Sequence, residues 1–170
     1  MLDRHFAIMR QMFANLSSIL DKAVAHADAN ADVSIEDLLD GKLAPDMFDL
    51  KRQIQSATDS AKFAAARLAG VDAPSWPDDE TTVDELKARL AKAAGYLEEA
   101  ANFDFSGWET RAVTIGWMPG MEIDGADYFH QFALPNFFFH VTTAYAILRS
   151  AGVDIGKRDF IGHMSFRPVA

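Results

Sequence analysis

The sequence contains no cysteine among its 170 residues. Disulfides, thiolate metal sites and cysteine nucleophiles are therefore excluded, which leaves His, Asp and Glu as side chains that can bind a metal. Basic residues are also few, since 16 Lys and Arg stand against 25 Asp and Glu, giving a formal net charge of -9. Such a charge repels phosphate backbones and anionic lipids, so we expect neither nucleic acid nor a membrane as a partner.

The chain also lacks a long apolar run. No stretch approaches the roughly 20 apolar residues that span a bilayer. The N-terminal segment MLDRHFAIMRQMF intersperses charges where a signal peptide needs an apolar core, so a cytoplasmic protein is expected. A chain of this length with 49% hydrophobic residues can bury a core, and we expect a single domain over residues 1–170.

Apolar residues in the first 70 positions recur at alternating steps of three and four, the spacing of an amphipathic helix. This spacing predicts a first helix over about Leu2 to Ala29. Ser34 and Asp37 resemble a capping box that opens a short helix. Pro45 suits the first turn of a second long helix, because its missing N–H would lack a partner there anyway, and Gly70 ends that helix.

The second half of the chain predicts two more long helices. Thr82 with Glu85 forms a capping box for the third, and Asp124 is expected to cap the fourth. Between them the helical period disappears, and RAVTIGWMPGMEID predicts a hairpin-like excursion. The sequence therefore predicts an all-α fold, a four-helix bundle with the excursion between helices 3 and 4.

The fourth helix carries two neighbouring stripes of residues. The apolar stripe consists of His130, Leu134, Phe137, Val141, Ala144 and Leu148. The second stripe places three polar side chains, Asn136, His140 and Thr143, one above the other. Burying such groups without partners costs about 1 to 3 kcal/mol each, so they should face a ligand, water or other polar groups. Pro135 removes a backbone hydrogen bond and predicts a kink in the same helix.

The other predicted helices offer polar positions that match this second stripe. Asp49 and Gln53 lie on one line of the second helix together with two serines, and Asn15 lies on one line of the first. A polar pocket inside the bundle is therefore predicted, with a small molecule as its expected occupant. Its candidate residues are Gln53, Asn136, His140, Thr143, Asp49 and Asn15.

His130 and His140 are the two histidines of the fourth helix. Their separation along the sequence corresponds to about 15 Å along a helix axis, so they cannot share one metal ion with ligand distances of about 2 Å. Two interpretations of His140 stay open. It is either a metal ligand or general base in a bundle pocket, or a core histidine hydrogen-bonded to Asn136 or to a neighbouring helix.

Four stretches of the chain together carry a resemblance to a known family. They are KLAPDMFDLKRQIQSATDSAKFAAARLAG, TTVDEL, FALPNFFFHVTTAYAILRSAGV and GKRDFIG. In this order they resemble the domain-of-unknown-function family DUF1993, which is similar in turn to the DinB/YfiT-like metalloenzyme superfamily. The resemblance covers almost the whole chain and implies the DinB/YfiT-like four-helix bundle. Members of that superfamily include thiol-dependent transferases.

The resemblance also implies where a metal would bind. The superfamily's site uses one histidine on the second helix and an HxxxH pair on the fourth. Counted back from ILRSAGV, His140 matches the second member of that pair, whereas Asn136 stands at the first. The second helix offers only candidates such as Gln53. The zinc or nickel triad is thus incomplete, with His140 as the metal-ligand candidate that remains.

Three functional hypotheses follow from these observations. The preferred one is a bundle with a degraded metal triad that serves as a small-ligand-binding or interaction module. The alternative is a metal-dependent or acid/base enzyme, thiol-dependent transferase-like, whose site is rebuilt around His140. The third is a homodimeric structural module, because the three phenylalanines at 137–139 cover most of the helix circumference and at least one must face outwards or a second subunit.

Overall fold

A computed structural model describes residues 2–169 of the protein. In chain order its helices are α1 Leu2–Ala29, α2 Ile35–Leu39, α3 Leu50–Ala69, α4 Val83–Glu99, α5 Gly125–Asp127, α6 Leu134–Ser150 and α7 Lys157–Ile161. The remaining elements are 3₁₀ turns at Ala100–Asn102 and Trp108–Thr110, strands β1 Ala112–Thr114 and β2 Glu122–Asp124, and a π-helix at Tyr128–Ala133. Helix α3 packs against α4 and α6, and α1 packs against the same two helices. The predicted four-helix bundle is confirmed.

Local capping explains where several of these helices begin. Ser34 Oγ accepts from Asp37 N at 3.1 Å, and Thr82 Oγ1 accepts from Glu85 N at 3.3 Å. In both pairs the acidic side chain also accepts a hydrogen bond from the backbone N–H of its partner, which completes a capping box. The two predicted capping boxes are confirmed, and so are the bounds of α1.

The second long helix begins later than predicted. Pro45 lies in the turn before it, and Asp49 is the N-cap, with extended backbone angles and a carboxylate that accepts from Arg52 N at 2.8 Å. The placement of Pro45 in the first turn was therefore wrong, because a capping aspartate starts a helix more strongly than a proline that only tolerates one. Gly70 ends the helix in the left-handed conformation with φ 70°, as predicted.

The bundle core is formed by the apolar stripes that the sequence shows. On α3 the buried positions of the predicted stripe are Leu50, Ile54, Ala57, Ala61, Ala64 and Leu68. The small alanines allow close approach of α4 and α6. On the opposite side of the core, Phe137 of α6 meets Phe13 of α1 edge to face, with ring centroids 5.5 Å apart.

The fourth long helix is irregular at its start. Tyr128–Ala133 is a π-helix, and Pro135 stands in the first turn of α6. A π-helix spends more residues on each turn than an α-helix, so the α-helical stripe does not extend upstream through it. Phe129 and Ala133 are buried instead, whereas His130 is exposed. The expectation that His130 continues the apolar stripe was wrong for this reason.

The predicted hairpin-like excursion is present as a two-stranded antiparallel ribbon. Val113 of β1 pairs with Ile123 of β2, and Val113 is buried. The tip at residues 115–121 carries Trp117 to the α3–α6 side of the bundle, where its ring centroid lies 5.9 Å from that of Phe132. The hairpin therefore covers part of the groove between those two helices.

The last segment differs from the aperiodic tail that the sequence suggests. Residues Lys157–Ile161 form α7, which packs on α1. Asn15 Nδ2 donates to the carbonyl oxygen of Phe160 at 2.8 Å, and Lys22 forms a 2.6 Å ion pair with Asp159. Five residues are too few for a helical period to show in a sequence.

Across residues 2–169, no helix combines the length and apolar character that crossing a membrane requires.

Candidate functional site

Two side-chain hydrogen bonds join α3 to α6 where the polar pocket was predicted. Asn136 Nδ2 donates to Ser60 Oγ at 2.7 Å, and His140 Nδ1 lies 2.7 Å from Gln53 Oε1. The later residue of α6 meets the earlier residue of α3, so the two helices are antiparallel. The structure therefore brings Gln53, Asn136 and His140 into one local arrangement.

Gln53 determines which nitrogen of His140 carries the proton. The Nε2 atom of Gln53 donates to the carbonyl oxygen of Phe48 at 3.2 Å, so its Oε1 atom faces the imidazole. An amide oxygen can only accept, and His140 Nδ1 must therefore be the protonated nitrogen that donates to it. The Nε2 atom of His140 keeps its lone pair. Among residues 2–169 no group bonds to this atom, and it is not sealed from solvent.

Burial and a nearby cation keep His140 neutral. The residue is 8% exposed, and burial lowers the pKa of its imidazole below the ordinary value of 6.5. The guanidinium of Arg52 lowers that pKa further, because it repels a second positive charge. At neutral pH His140 thus offers a hydrogen-bond acceptor and a base at Nε2, on a ring whose orientation is fixed through Nδ1.

The neutral state of His140 predicts a pH dependence of folding. In the folded chain the pKa of His140 lies below that of an unfolded histidine, so the unfolded chain binds more protons as the pH falls through about 6.5. The contribution of His140 to the free energy of unfolding should therefore decrease on acidification through that window and stop changing below the folded pKa. Urea unfolding of the wild type and of His140→Ala between about pH 8 and pH 5 measures the difference.

His163→Ala is the matched control, because it also removes one histidine but from the exposed C-terminal segment. The slope of unfolding free energy against pH should be flatter in His140→Ala than in His163→Ala. Equal slopes in all three proteins would show that His140 titrates alike in the folded and unfolded chain.

An open cleft of about 370 Å³ runs along the α3–α6 groove beside this arrangement. His140, Asn136 and Ser60 line it at one end. Its middle is lined by apolar side chains of α3, the π-helix and the hairpin, namely Phe63, Phe132, Ile115 and Trp117. The cleft is large enough for a small organic molecule with both polar and apolar parts.

The other end of the cleft is formed by two residues that the sequence interpretation missed. Arg67 Nη1 donates to the hydroxyl of Tyr128 at 3.0 Å, and both residues line the cleft. Arg67 lies seven positions after Ser60, two helical turns further along the same line of α3, so extending that line would have found it. No helical spacing in the sequence indicated that Tyr128 faces the cleft, because this residue lies in the π-helix.

Three predicted pocket residues lie elsewhere. Asn15 holds α7 against α1, and Asp49 caps α3. Thr143 Oγ1 donates to the carbonyl oxygen of Phe139, and its side chain lines a shallow apolar depression beside Leu43. The structure does not bring these three to the cleft, since none of them lines it.

The side chains around His140 do not fit the metal triad that the family resemblance implies. Within residues 2–169 no group of three His, Asp or Glu side chains is close enough to hold one metal ion. The Oε1 atom of Gln53 is already occupied by His140 Nδ1, and Asn136 offers only a neutral amide oxygen. Zinc and nickel bind imidazole nitrogen more strongly than amide oxygen, so His140 alone does not provide the ligands of a metal triad.

The chain is similar to known proteins over almost its whole length. The sequence profile of the family described as "Domain of unknown function (DUF1993)" matches residues 1–161. A crystal structure of a DinB family member protein from Shewanella denitrificans is similar to this chain, with 38% sequence identity and a TM-score of 0.89. The similarity covers 96% of this chain and 93% of that one. No functionally curated protein matches.

Proposed function

The chain belongs to the DUF1993 family and folds as a DinB-like bundle, and from this premise we propose that it binds a small molecule in the α3–α6 cleft without a metal ion. The observation that carries the proposal is the 2.7 Å bond between Gln53 Oε1 and His140 Nδ1. It leaves the Nε2 lone pair as an acceptor at the cleft. The Oδ1 atom of Asn136 is a second acceptor, because its Nδ2 atom is bonded to Ser60.

The cleft has the mixed lining that small-molecule sites require. His140 and Asn136 offer acceptors at one end, Arg67 and Tyr128 offer donors at the other, and aromatic side chains lie between them. Apolar surface supplies most of the binding free energy in such sites, while a few fixed polar groups orient the ligand. The Gln53 and Ser60 hydrogen bonds hold His140 and Asn136 in place before a ligand arrives, which lowers the entropy cost of binding.

Nuclear magnetic resonance of the imidazole nitrogens tests this function. In the free protein His140 should show the Nδ1–H tautomer, and binders from a fragment library should shift its Nε2 resonance. His140→Ala should weaken those binders by about tenfold, the effect of losing one hydrogen bond of about 1.4 kcal/mol. His163→Ala should leave them unchanged. If no fragment shifts His140 Nε2, the proposed function is lost.

Metal analysis of tag-free protein tests the proposal that the site contains no metal ion. We expect far less than one equivalent of zinc or nickel per chain, in the wild type and in His140→Ala alike. One equivalent that disappears in His140→Ala and remains in His163→Ala would overturn the metal-free site and restore a metal centre at His140.

An enzyme that uses His140 as a general base is the second candidate. It is supported by the neutral imidazole with its Nδ1–H anchored on Gln53, since Nε2 could then take a proton from a bound hydroxyl or thiol. A thiol would be left as its thiolate, the nucleophile that a thiol-dependent transfer requires. Turnover that His140→Ala abolishes while ligand binding persists would favour this candidate over the binding module.

We also propose that two chains associate as a homodimer through the surface that carries Phe139. Of the three phenylalanines, Phe137 is fully buried and Phe138 half-buried, while Phe139 is 54% exposed. Phe139 lines a shallow apolar depression together with Leu43, which is also largely exposed. An outward apolar surface of this kind supports association of two chains.

A further inference from the structure

Arg67 is a cation of the cleft whose charge is not compensated by an acid. Within residues 2–169 no carboxylate forms an ion pair with it. Its Nη1 atom donates to the Tyr128 hydroxyl, and its guanidinium lies over the Phe63 ring, 4.6 Å from the centroid. These contacts hold the planar group in one orientation and leave further N–H donors available.

The other charged residues of the cleft lining are neutralised. Asp59 forms ion pairs with Lys62 at 2.8 Å and with Arg89 at 3.1 Å. Arg52 forms an ion pair with Asp78. One unit of positive charge, that of Arg67, is therefore left over in the cleft of a protein whose net charge is -9. A site of this kind favours an anion over a neutral molecule, and its single positive charge matches that of a monoanion.

Tyr128 supplies a second donor at the same end. Its oxygen accepts from Arg67, so its own hydrogen is available, and no acceptor for it exists in the part of the chain that the structure describes. Burial raises the pKa of the Tyr128 phenol, and the proton stays on the oxygen. A guanidinium and a neighbouring hydroxyl that both donate form a receptor for the two oxygens of a carboxylate.

The two ends of the cleft are separated by a distance that a small ligand can span. The Arg67 guanidinium lies level with Phe63, and Ser56, near the His140 end, is seven positions earlier on α3. Two helical turns correspond to about 10 Å. Phe132 and Trp117 flank the intervening space with apolar rings. The distance and the lining match a molecule built around one apolar ring.

We propose that the cleft binds a small carboxylic acid as its anion, with Arg67 and the Tyr128 hydroxyl on the carboxylate and His140 Nε2 accepting from a neutral donor at the ligand's other end. The donor is a hydroxyl, thiol or amide, because the Arg52 guanidinium, although paired with Asp78, still lies close enough to His140 to disfavour a further positive charge there. This inference rests on the proposed function and adds the chemical class of the ligand.

Calorimetric titration with three matched probes tests the inference. The probes are hydroxyphenylpropanoate, its neutral carboxamide and hydroxyphenylethyl phosphonate, which share a ring and a phenolic donor. The titrations are made above the second pKa of the phosphonate, where that probe is a dianion. The propanoate should bind at least about tenfold tighter than the carboxamide, as expected for a charge-assisted bidentate contact. Arg67→Met should remove that preference, and Arg67→Lys should restore part of it.

Arg149→Met is the control, because it removes an exposed arginine from the end of α6, away from the cleft. It should leave all three affinities unchanged. Tyr128→Phe should weaken the propanoate by a few-fold and the carboxamide less, because a carboxylate is the stronger acceptor. This variant provides an independent measurement should Arg67→Met not fold. Equal affinity for acid and carboxamide, or tighter binding of the phosphonate, overturns the inference.

The outcome separates the ligand class from the function itself. If neither acid nor carboxamide binds while other fragments still shift the His140 Nε2 resonance, the carboxylate inference fails and the binding function stands. If the acid preference survives in Arg67→Met to the same extent as in Arg149→Met, the anion is held elsewhere and the inference fails again.

Discussion

Replacing Arg89 with methionine is expected to lower the free energy of unfolding by about 3 to 5 kcal/mol. Arg89 lies on α4 with its side chain 2% exposed, and it ties α3 and the loop at residues 71–82 together. Its hydrogen-bond and ion-pair partners are Thr58, Asp59, Pro77, Asp78 and Glu80. Removal of the guanidinium takes a charged partner away from all five groups at once.

The loss of stability in Arg89→Met arises from the polar groups that Arg89 no longer pairs. The Glu80 side chain is 13% exposed, and Arg89 is the one cation paired with it among residues 2–169. The hydroxyl of Thr58 and the carbonyl oxygen of Pro77 lose charged donors at 2.7 Å. Breaking a buried ion pair by deleting one member is more destabilising than replacing the whole pair with apolar residues, because an uncompensated charge stays in a poorly solvated place.

Urea unfolding measures this effect, with Arg10→Met as the control. Arg10 also forms an ion pair between helices, with Glu98 across α1 and α4, but its side chain is 40% exposed. Exposed ion pairs contribute about 0 to 1 kcal/mol, so Arg10→Met should change stability little. A loss at Arg89 no larger than that at Arg10 would contradict the structural role given to the buried network.

Replacing Gly125 with alanine is expected to destabilise the protein by about 3 kcal/mol, at the upper end of what overpacking costs. An added Cβ at Gly125 would stand 1.9 Å from the carbonyl oxygen of Trp108. The Trp108 carbonyl belongs to the backbone, so it cannot rotate away from the added Cβ as a long side chain could. The turn before the π-helix would have to move away from Trp108, and the start of α6 would move with it.

The same substitution at Gly95 should have the opposite sign. Gly95 lies within α4, and an added Cβ there meets nothing within 4 Å. Alanine forms helix better than glycine, so Gly95→Ala should stabilise the protein by about 0.5 to 1 kcal/mol. Thermal or urea unfolding of both variants provides the comparison. Equal effects at the two glycines would mean that the Trp108 contact does not constrain the chain.

Much of the fold could be predicted because its signals are local. A capping box depends on four successive residues, so the starts of α2 and α4 were visible in the sequence. The apolar stripes of α1, α3 and α4 follow directly from a regular period. Pro45 was misleading because two start signals, the proline and Asp49, lie four positions apart and only the structure shows which one begins the helix.

The candidate site could be predicted only in part. Gln53, Asn136 and His140 belong to regular stretches of α3 and α6, and their helical lines indicated that they face one another. Tyr128 stands in the π-helix, where the α-helical period no longer predicts which side a residue faces. The protonated nitrogen of His140 depends on the Phe48 carbonyl that orients Gln53, and no sequence pattern carries that information.

The position of Trp117 gives the protein an intrinsic optical probe. Its indole is 65% exposed at the hairpin tip, beside Phe132 of the cleft. Trp108 is buried, and Trp76 lies against the Lys62 and Lys92 ammonium groups at 4.6 and 4.9 Å. We expect Trp117, the most exposed of the three tryptophans, to contribute most of the long-wavelength fluorescence. A shift of that emission to the blue would indicate that a bound ligand shields its indole from water.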